Sequence, residues 1–588
     1  MDVKAMMRAM DVALGKTPAD LAITNAKLVN VATRRVEEAD ILVAEGIIAA
    51  IQERGSAKKG AATQELDAGG RYLLPGLLDA HTHIEMSFLS AVPYAECVLP
   101  LGTTGIMVDP HDMVNATGLE GLRHFAAEMA STPLKCYLMV PPCIPSSPDL
   151  EDAAINMTLQ DMKKAFNLPS AHGIAETMDF SRVLAQEQEL LHILSWSREQ
   201  NLLVDGHCPE LRGRALQAYA LTGPVLTDHE SVTVEEMQEK YRLGMRVIIR
   251  RGSLSESASA GDFVNSLADT SNVLLSTDGC ITVHDILTKG HMNYALRCVV
   301  EEGVDPLVAV QMGTINVARA YGLSHRVGII APGRAADLVL VNNLHEFKVE
   351  AAYLNGRRLP APGKYQLPRY AYPQQVLETV KLKEVAAEAF RIKTPAAGGM
   401  VKVRAIAIID ETVATAEEIH EMQAVGGELQ IDPSRDLLKA AVFERYGRAG
   451  THATAIVKGF GLKKGALAGS VAQDTQNIVA VGASDEDMAL AVNTLKKQHG
   501  GIVLAEGGKI LANIKLPIGG IMTDIPPEQL QTAMADLNQK AKALGSTLTD
   551  PIFSLYMQIA LAVIPEIRLT NRGLVHVASA QFIPLWID

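Results

Sequence analysis

Eight times between residues 74 and 330 the chain passes through a short apolar run that ends in polar or charged residues. The runs are GLLDAHTHIE, TTGIMVDPHD, KCYLMVPPC, HGIAETMDF, NLLVDGHCPE, GPVLTDHES, MRVIIRRGS and NVLLSTDGC. Stretches of helical period, such as residues 118–129, separate them. Buried strands alternating with helices predict an α/β chain built on a (β/α)8 barrel, and the interval matches the roughly 250 residues such a barrel takes. In that fold the catalytic groups stand at the C-terminal strand ends, which is where these runs carry their polar residues.

A chain of 588 residues is too long for one compact core. Residues 1–20 alternate charged and apolar positions, which reads as an amphipathic helical segment without the continuous apolar core of an export signal. Residues 21–73 hold short β-rich runs, LAITNAKLVNV and ADILVAEGIIAAI, read as a small antiparallel sheet. Residues 331–365 repeat that character in ADLVLVNNL and AAYLNGRRL, so the two pieces are expected to pair as one β-sandwich flanking the barrel at 74–330. After PRYAYPQQ, residues 366–588 read as a further α/β domain.

The net charge of −13 works against nonspecific nucleic-acid binding, which needs a basic surface. No run of about eighteen apolar residues could span a bilayer. The six cysteines all lie between residues 97 and 298 without a CxxC pair, as reduced thiols of a cytoplasmic protein would. A small-molecule substrate and a homo-oligomeric assembly are expected, with no nucleic-acid or membrane partner.

His81 and His83 stand two apart at the end of the first run, so an extended backbone sends both imidazoles to one side. Alone, such a pair is equally a hydrogen-bonded strand end. Further ionisable groups close equivalent runs: Glu176 the fourth, His207 the fifth, His229 the sixth and Asp278 the eighth. Four imidazoles and two carboxylates suit two divalent ions such as manganese, iron or zinc; calcium or magnesium would ask for mainly oxygen ligands. Such a pair lowers the pKa of bound water and promotes hydrolysis. Asp278 is the candidate general acid/base, the alternative being a helix cap. Glu176 could bridge both ions or form an ion pair at the barrel rim.

The segments PGLLDAHTHIE, TDHES, STDG and APGRAADLVLV resemble the amidohydrolase superfamily. With GTTGIMVDPHD, GIAETMDF, DGHCPELRG, FGLKKGALAGSVAQDTQNIVAVG and IKLPIGGIMTD, the resemblance narrows to the bacterial adenine deaminase family over almost the whole chain. It implies hydrolytic conversion of adenine to hypoxanthine and ammonia by a metal-activated hydroxide. His81, His83, His207, His229 and Asp278 fall on the family's metal positions, and Glu176 on its bridging carboxylate. Glu85, Asp109, His111 and Asp112 fall on second-strand and pocket-facing positions; with Arg250 and Ser253 they form the expected substrate-binding set. Asp109 could instead cap a helix, and Arg250 could pair with a neighbouring acid; Ser253 is equally open.

The chain departs from the family pattern at Arg251, Gly279 and Asp112, which leaves room for another amino-heterocycle or a cyclic amide. Tyr446, Gln473 and Gln476 stand where the family has histidines, so no metal or polar site is expected there. A third reading is a scaffold without catalysis. HIE resembles the His-x-Glu of zinc nucleoside deaminases, but no CxxC follows. KGFGLKKG misses the dinucleotide spacing, and no GxSxG elbow or P-loop occurs.

Overall fold

The computed structural model of the chain describes residues 2–57, 60–223, 226–252, 257–395 and 397–587. Each of the eight apolar runs forms a strand: β1 (Leu77–Thr82), β2 (Thr103–Val108), β3 (Lys135–Val140), β4 (Ala171–Thr177), β5 (Leu203–Gly206), β6 (Thr227–Asp228), β7 (Arg246–Arg250) and β8 (Val273–Ser276). Strands β1 to β5 pair in chain order as one sheet and β6 to β8 as a second, all in parallel. Between β5 and β6, among the described residues, the backbone pairing shrinks to a single parallel bridge, Val204 to Leu226. Beyond β8 the Asp278 N–H donates to the His81 carbonyl at 3.0 Å, and the Thr277 N–H to the Asp79 carboxylate at 3.1 Å, which seats that segment against β1.

Side chains alternate along each strand. Leu78, Met107, Met139, Ala175, Ile248 and Leu274 share one buried cluster with Tyr321. Residues from β1, β2, β3, β4, β7 and β8 can meet in one cluster only if the two sheets curve toward each other. Their neighbours Ile106, Leu138, Ile174, Val247 and Val273 face outward into the clusters formed with the helices. Parallel strands buried on both faces read as continuous apolar runs, which is why these segments stood out.

Strands on either side of this unit in sequence join one mixed eight-stranded sheet. Tyr72–Pro75 pairs antiparallel with Leu338–Val341, bringing the two flanks together. The expectation of a purely antiparallel sheet does not hold: Ala19–Asn30 takes both Ala62–Asp67 and Tyr72–Pro75 as parallel neighbours. Its register shift between Ile23 and Ala26 divides the strand between those two partners. Leu21, Ile23, Ile41, Leu338, Leu340 and Tyr353 then share one core. The helix Val3–Ala13 forms as expected, its N-terminus capped by the Asp2 side chain, and buries Ala9 and Val12. The later part of the chain forms a ten-stranded sheet that includes Gly398–Ile408 and Gly501–Glu506, with the helix Asp485–Gln498 packed on it. Among the described residues no helix is long and apolar enough to cross a membrane, and no disulfide joins any of the six cysteines.

Gly76 is the seam between the flanking sheet and β1. Its N–H donates to the Asp337 carbonyl at 2.8 Å, and a Cβ there would meet Thr104 Oγ1 at 2.2 Å and Asp337 Cβ at 2.8 Å. Gly76→Ala is therefore expected to cost about 1–3 kcal/mol, as overpacking of a filled site does. A urea midpoint equal to the parent's would contradict this tight seam.

Candidate metal centre

The C-terminal ends of the parallel strands bring the sequence-predicted ligands into one buried cluster. His81 lies in β1 and His83 just past it; Glu176 lies in β4, His207 follows β5, His229 follows β6 and Asp278 follows β8. Glu176 occupies the middle. Its Oε1 is 3.3 Å from His83 Nε2 and 3.8 Å from His81 Nε2, while its Oε2 is 2.6 Å from His207 Nδ1 and 3.2 Å from His229 Nε2. Asp278 Oδ1 closes the group at 3.3 Å from His83 Nε2 and 3.4 Å from His81 Nε2. His83 Nδ1 sits 2.8 Å from the Asp109 carbonyl, which can only accept, so this nitrogen carries a proton and, in the neutral ring, Nε2 is the atom that presents a lone pair. Three overlapping groups could each hold an ion: His81, His83, Asp109 and Glu176; His81, His229 and Asp278; Glu176, His207 and His229. The donor set, nitrogen and carboxylate lone pairs converging in a buried space, fits a divalent-metal centre.

Local backbone explains why Asp278 reaches the centre. It and Gly279 both take left-handed conformations, φ 56° and 64°. A Cβ on Gly279 would lie 2.5 Å from the His83 carbonyl oxygen, so close approach to the first strand demands glycine here. The next helix begins at Val283 behind a Thr282 cap, so the helix-cap alternative for Asp278 does not apply.

Electrostatics follow from these contacts. Burial disfavours charge on His83, but Asp278 and Glu176 outweigh it and hold the imidazole well above its ordinary range. Burial likewise opposes His229, which Asp278, Glu176 and Glu230 nevertheless bring up to about 9. Glu176 and Asp278 are driven the other way: against the cost of burial, His207 and His229 keep Glu176 ionised, and His229, His83 and Arg250 keep Asp278 ionised.

The expected substrate-binding residues separate into three groups. Arg250 donates to Asp278 Oδ2 at 2.9 Å and pairs with Glu230, the neighbouring-acid alternative. Asp109 accepts the N–H of His111 at 3.1 Å and of Glu176 at 3.3 Å, so one oxygen makes a capping-type bond and the other holds β4. Glu85, His111 and Asp112 lie buried together beside the centre, His111 Nδ1 being 3.5 Å from Glu176. Burial and the nearby Asp112 raise Glu85 to about 8. Its Oε1 accepts the Met113 N–H, and its Oε2 has no hydrogen-bond partner among the described residues. Ser253 lies outside the described residues. Arg251 turns away, its guanidinium held by Glu302 and the carbonyls of Ser257 and Ala258.

One expectation is overturned. No polar site was expected where Tyr446, Gln473 and Gln476 stand, yet the Gln473 and Gln476 amides donate to the two oxygens of Asp112 at 2.7 and 2.6 Å. Asp474 comes within 3.6 Å of His111, and the Tyr446 hydroxyl donates to the Thr475 carbonyl. Glutamine amides hydrogen-bond a carboxylate as readily as histidines would, so the substitution keeps a polar seam. Sequence reasoning also missed Glu230, 3.6 Å from His229, and Asp205, 3.6 Å from His81 Nδ1. Glu230 carried a signal, being an acid beside a ligand at a strand end. Asp474 carried none, since its loop meets Asp112 across 361 residues of chain.

Comparison with known proteins agrees with this geometry. Residues 72–359 match the profile of the amidohydrolase family, and residues 412–581 that of the adenine deaminase C-terminal domain. Fold and site together place the chain among metal-dependent hydrolases of the amidohydrolase superfamily. An adenine deaminase of Archaeoglobus fulgidus is 38% identical over 587 residues, covering 100% of this chain and 99% of that protein. One from Clostridium botulinum is 36% identical over 588 residues, covering 98% and 97%. The chain belongs to the adenine deaminase family.

His229 must be neutral to bind a cation. In the metal-free protein its raised pKa contributes stability below about 6.5, the unfolded value, and that contribution is lost as pH rises through about 9. Metal uptake should run opposite, expelling protons and tightening as pH rises across that window. Chelator competition at about pH 6.5 and about pH 8.5 tests the sign. Equal affinity at the two values would contradict the buried imidazolium.

Proposed function

We propose that the chain hydrolyses adenine to hypoxanthine and ammonia at a dinuclear metal centre. Manganese is the favoured ion, with iron or zinc as alternatives. The observation that carries this reading is the two-sided Glu176 carboxylate, one oxygen toward His81 and His83 and the other toward His207 and His229, in a chain of the adenine deaminase family. We take β1 to β8 as a (β/α)8 barrel over 74–330, flanked by a β-sandwich of 21–73 and 331–365, a helical segment at 1–20 and a C-terminal domain at 366–588. The parallel pairing in chain order, the Val204–Leu226 bridge and the contact of the Asp278 segment with β1 support it. The same reading makes the chain a cytoplasmic homo-oligomer without nucleic-acid or membrane partners.

His81, His83, Glu176, His207, His229 and Asp278 would hold the ions, which would supply an acidified water and polarisation of the carbon under attack. Asp278 is anchored through Oδ2 by Arg250 and kept ionised by its cationic neighbours, so it begins the cycle able to accept a proton from water. It then delivers that proton to the departing amino group, which leaves as ammonia. Glu85, with its pKa near 8, is largely protonated at neutral pH and can donate from the unpartnered Oε2 to a ring nitrogen. His111 faces the same space, and Asp112, fixed by Gln473 and Gln476, accepts from ring or exocyclic N–H groups. Gly279 and Arg251 leave this pocket unaltered, since the first is imposed by the His83 backbone and the second points elsewhere. That favours adenine over a different heterocycle.

Ammonia release measured across adenine, other amino-purines and aminopyrimidines should be fastest with adenine; preference for a different ring would overturn the substrate. In manganese-loaded protein, Asp278→Asn should lower kcat by roughly 10²–10⁴-fold, the range for losing a general acid/base. Activity equal to the parent's at equal metal content would exclude Asp278 as the proton carrier.

A further inference from the structure

We propose that Lys240, which touches neither substrate nor ion, is a positioning residue for the half of the metal centre formed by His207 and His229. Among the described residues, strand pairing is slight between these two ligands. Strand β6 is two residues long, and one isolated bridge, from Val204 of β5 to Leu226 just before β6, joins the two. The ladder that fixes the ends of β1 to β5 is therefore reduced where these two ligands must hold a common geometry.

A buried side-chain network takes its place. Lys240, in the helix Val234–Arg242, has no solvent exposure. Its ammonium donates to the Cys208 carbonyl at 2.8 Å, Asp228 Oδ2 at 2.7 Å, Ser231 Oγ at 3.2 Å and Glu236 Oε1 at 2.7 Å. Cys208 follows His207 directly, and Asp228 precedes His229. Asp228 Oδ1 accepts the Cys208 N–H at 3.0 Å, tying the two loops a second time. Glu236 accepts the N–H of Glu210 at 2.8 Å and of Val232 at 3.0 Å, one from each loop. Every arm of the network thus ends on β6 itself or on the segments that follow β5 and β6. Apolar side chains of similar volume often serve stability as well as a buried ion cluster, so positional constraint is the property these charges add.

The inference rests on the metal-centre reading above. Manganese(II) alone serves as probe, with ions bound per chain and dissociation constants measured for four proteins. These are the parent, Lys240→Met, the triple variant Lys240→Met/Asp228→Asn/Glu236→Gln, which leaves no stranded charge, and Ser231→Ala, a milder cut. Circular dichroism and melting establish which are folded. Folded Lys240 variants should bind one of the two ions about 10–100-fold more weakly, the range for losing support behind a metal ligand. Ser231→Ala should fold and shift affinity the same way by less. Parent-like affinity for both ions in any folded variant overturns the role of Lys240. A parent that binds no manganese overturns the metal-centre reading instead.

Discussion

Glu176 is the constraint on which the rest of the structure depends. A fully buried carboxylate must have its charge answered on both oxygens, and here each oxygen faces a different pair of imidazoles. Those imidazoles come from four separate positions, His81, His83, His207 and His229, which only strands aligned in parallel with their C-terminal ends together can deliver. The curvature of the two sheets, the seam at Gly76 and the left-handed turn at Asp278–Gly279 all serve that convergence. So does the choice of side chains behind the ligands: the Asp109 carbonyl selects the His83 tautomer, and Arg250 holds Asp278.

The later part of the chain contributes to this chemistry as well as to size. Its segment from Gln473 to Gln476 reaches Asp112 and His111 and covers the strand ends from above. Asp474 also accepts from Ser146, on the segment after β3. A polar seam in a buried place is costly unless its groups are mutually satisfied. Here the two glutamine amides satisfy both oxygens of Asp112. The docking of the two halves of the chain therefore runs through hydrogen bonds at Asp112, beside the metal-centre cluster.

The eight strands and the convergence of the six candidate ligands were legible in the sequence because parallel strands buried on both faces leave continuous apolar runs, and side chains that meet at one barrel end sit where such runs stop. His81 and His83 announced themselves through the period of two, and Asp278 through its place after the eighth run. What escaped was set by contacts between distant segments. The parallel pairing of Ala19–Asn30 with Ala62–Asp67 leaves no local pattern, because strand direction is decided by the path between strands. Lys240 is one of several charges in VEEMQEKYR, and nothing local marks it as the one that packing turns inward. Tyr446, Gln473 and Gln476 were read as a lost site because residue type was weighed without the partner, Asp112, that gives the two glutamine amides their place.

The central claim is that two divalent ions share Glu176. Anomalous difference density from crystals of manganese-loaded protein, collected near the manganese absorption edge, tests it most directly. The account predicts two peaks on opposite sides of the Glu176 carboxylate, one within bonding reach of His81, His83 and Asp278 and the other of His207 and His229. A single peak, or density bound away from Glu176, would contradict it.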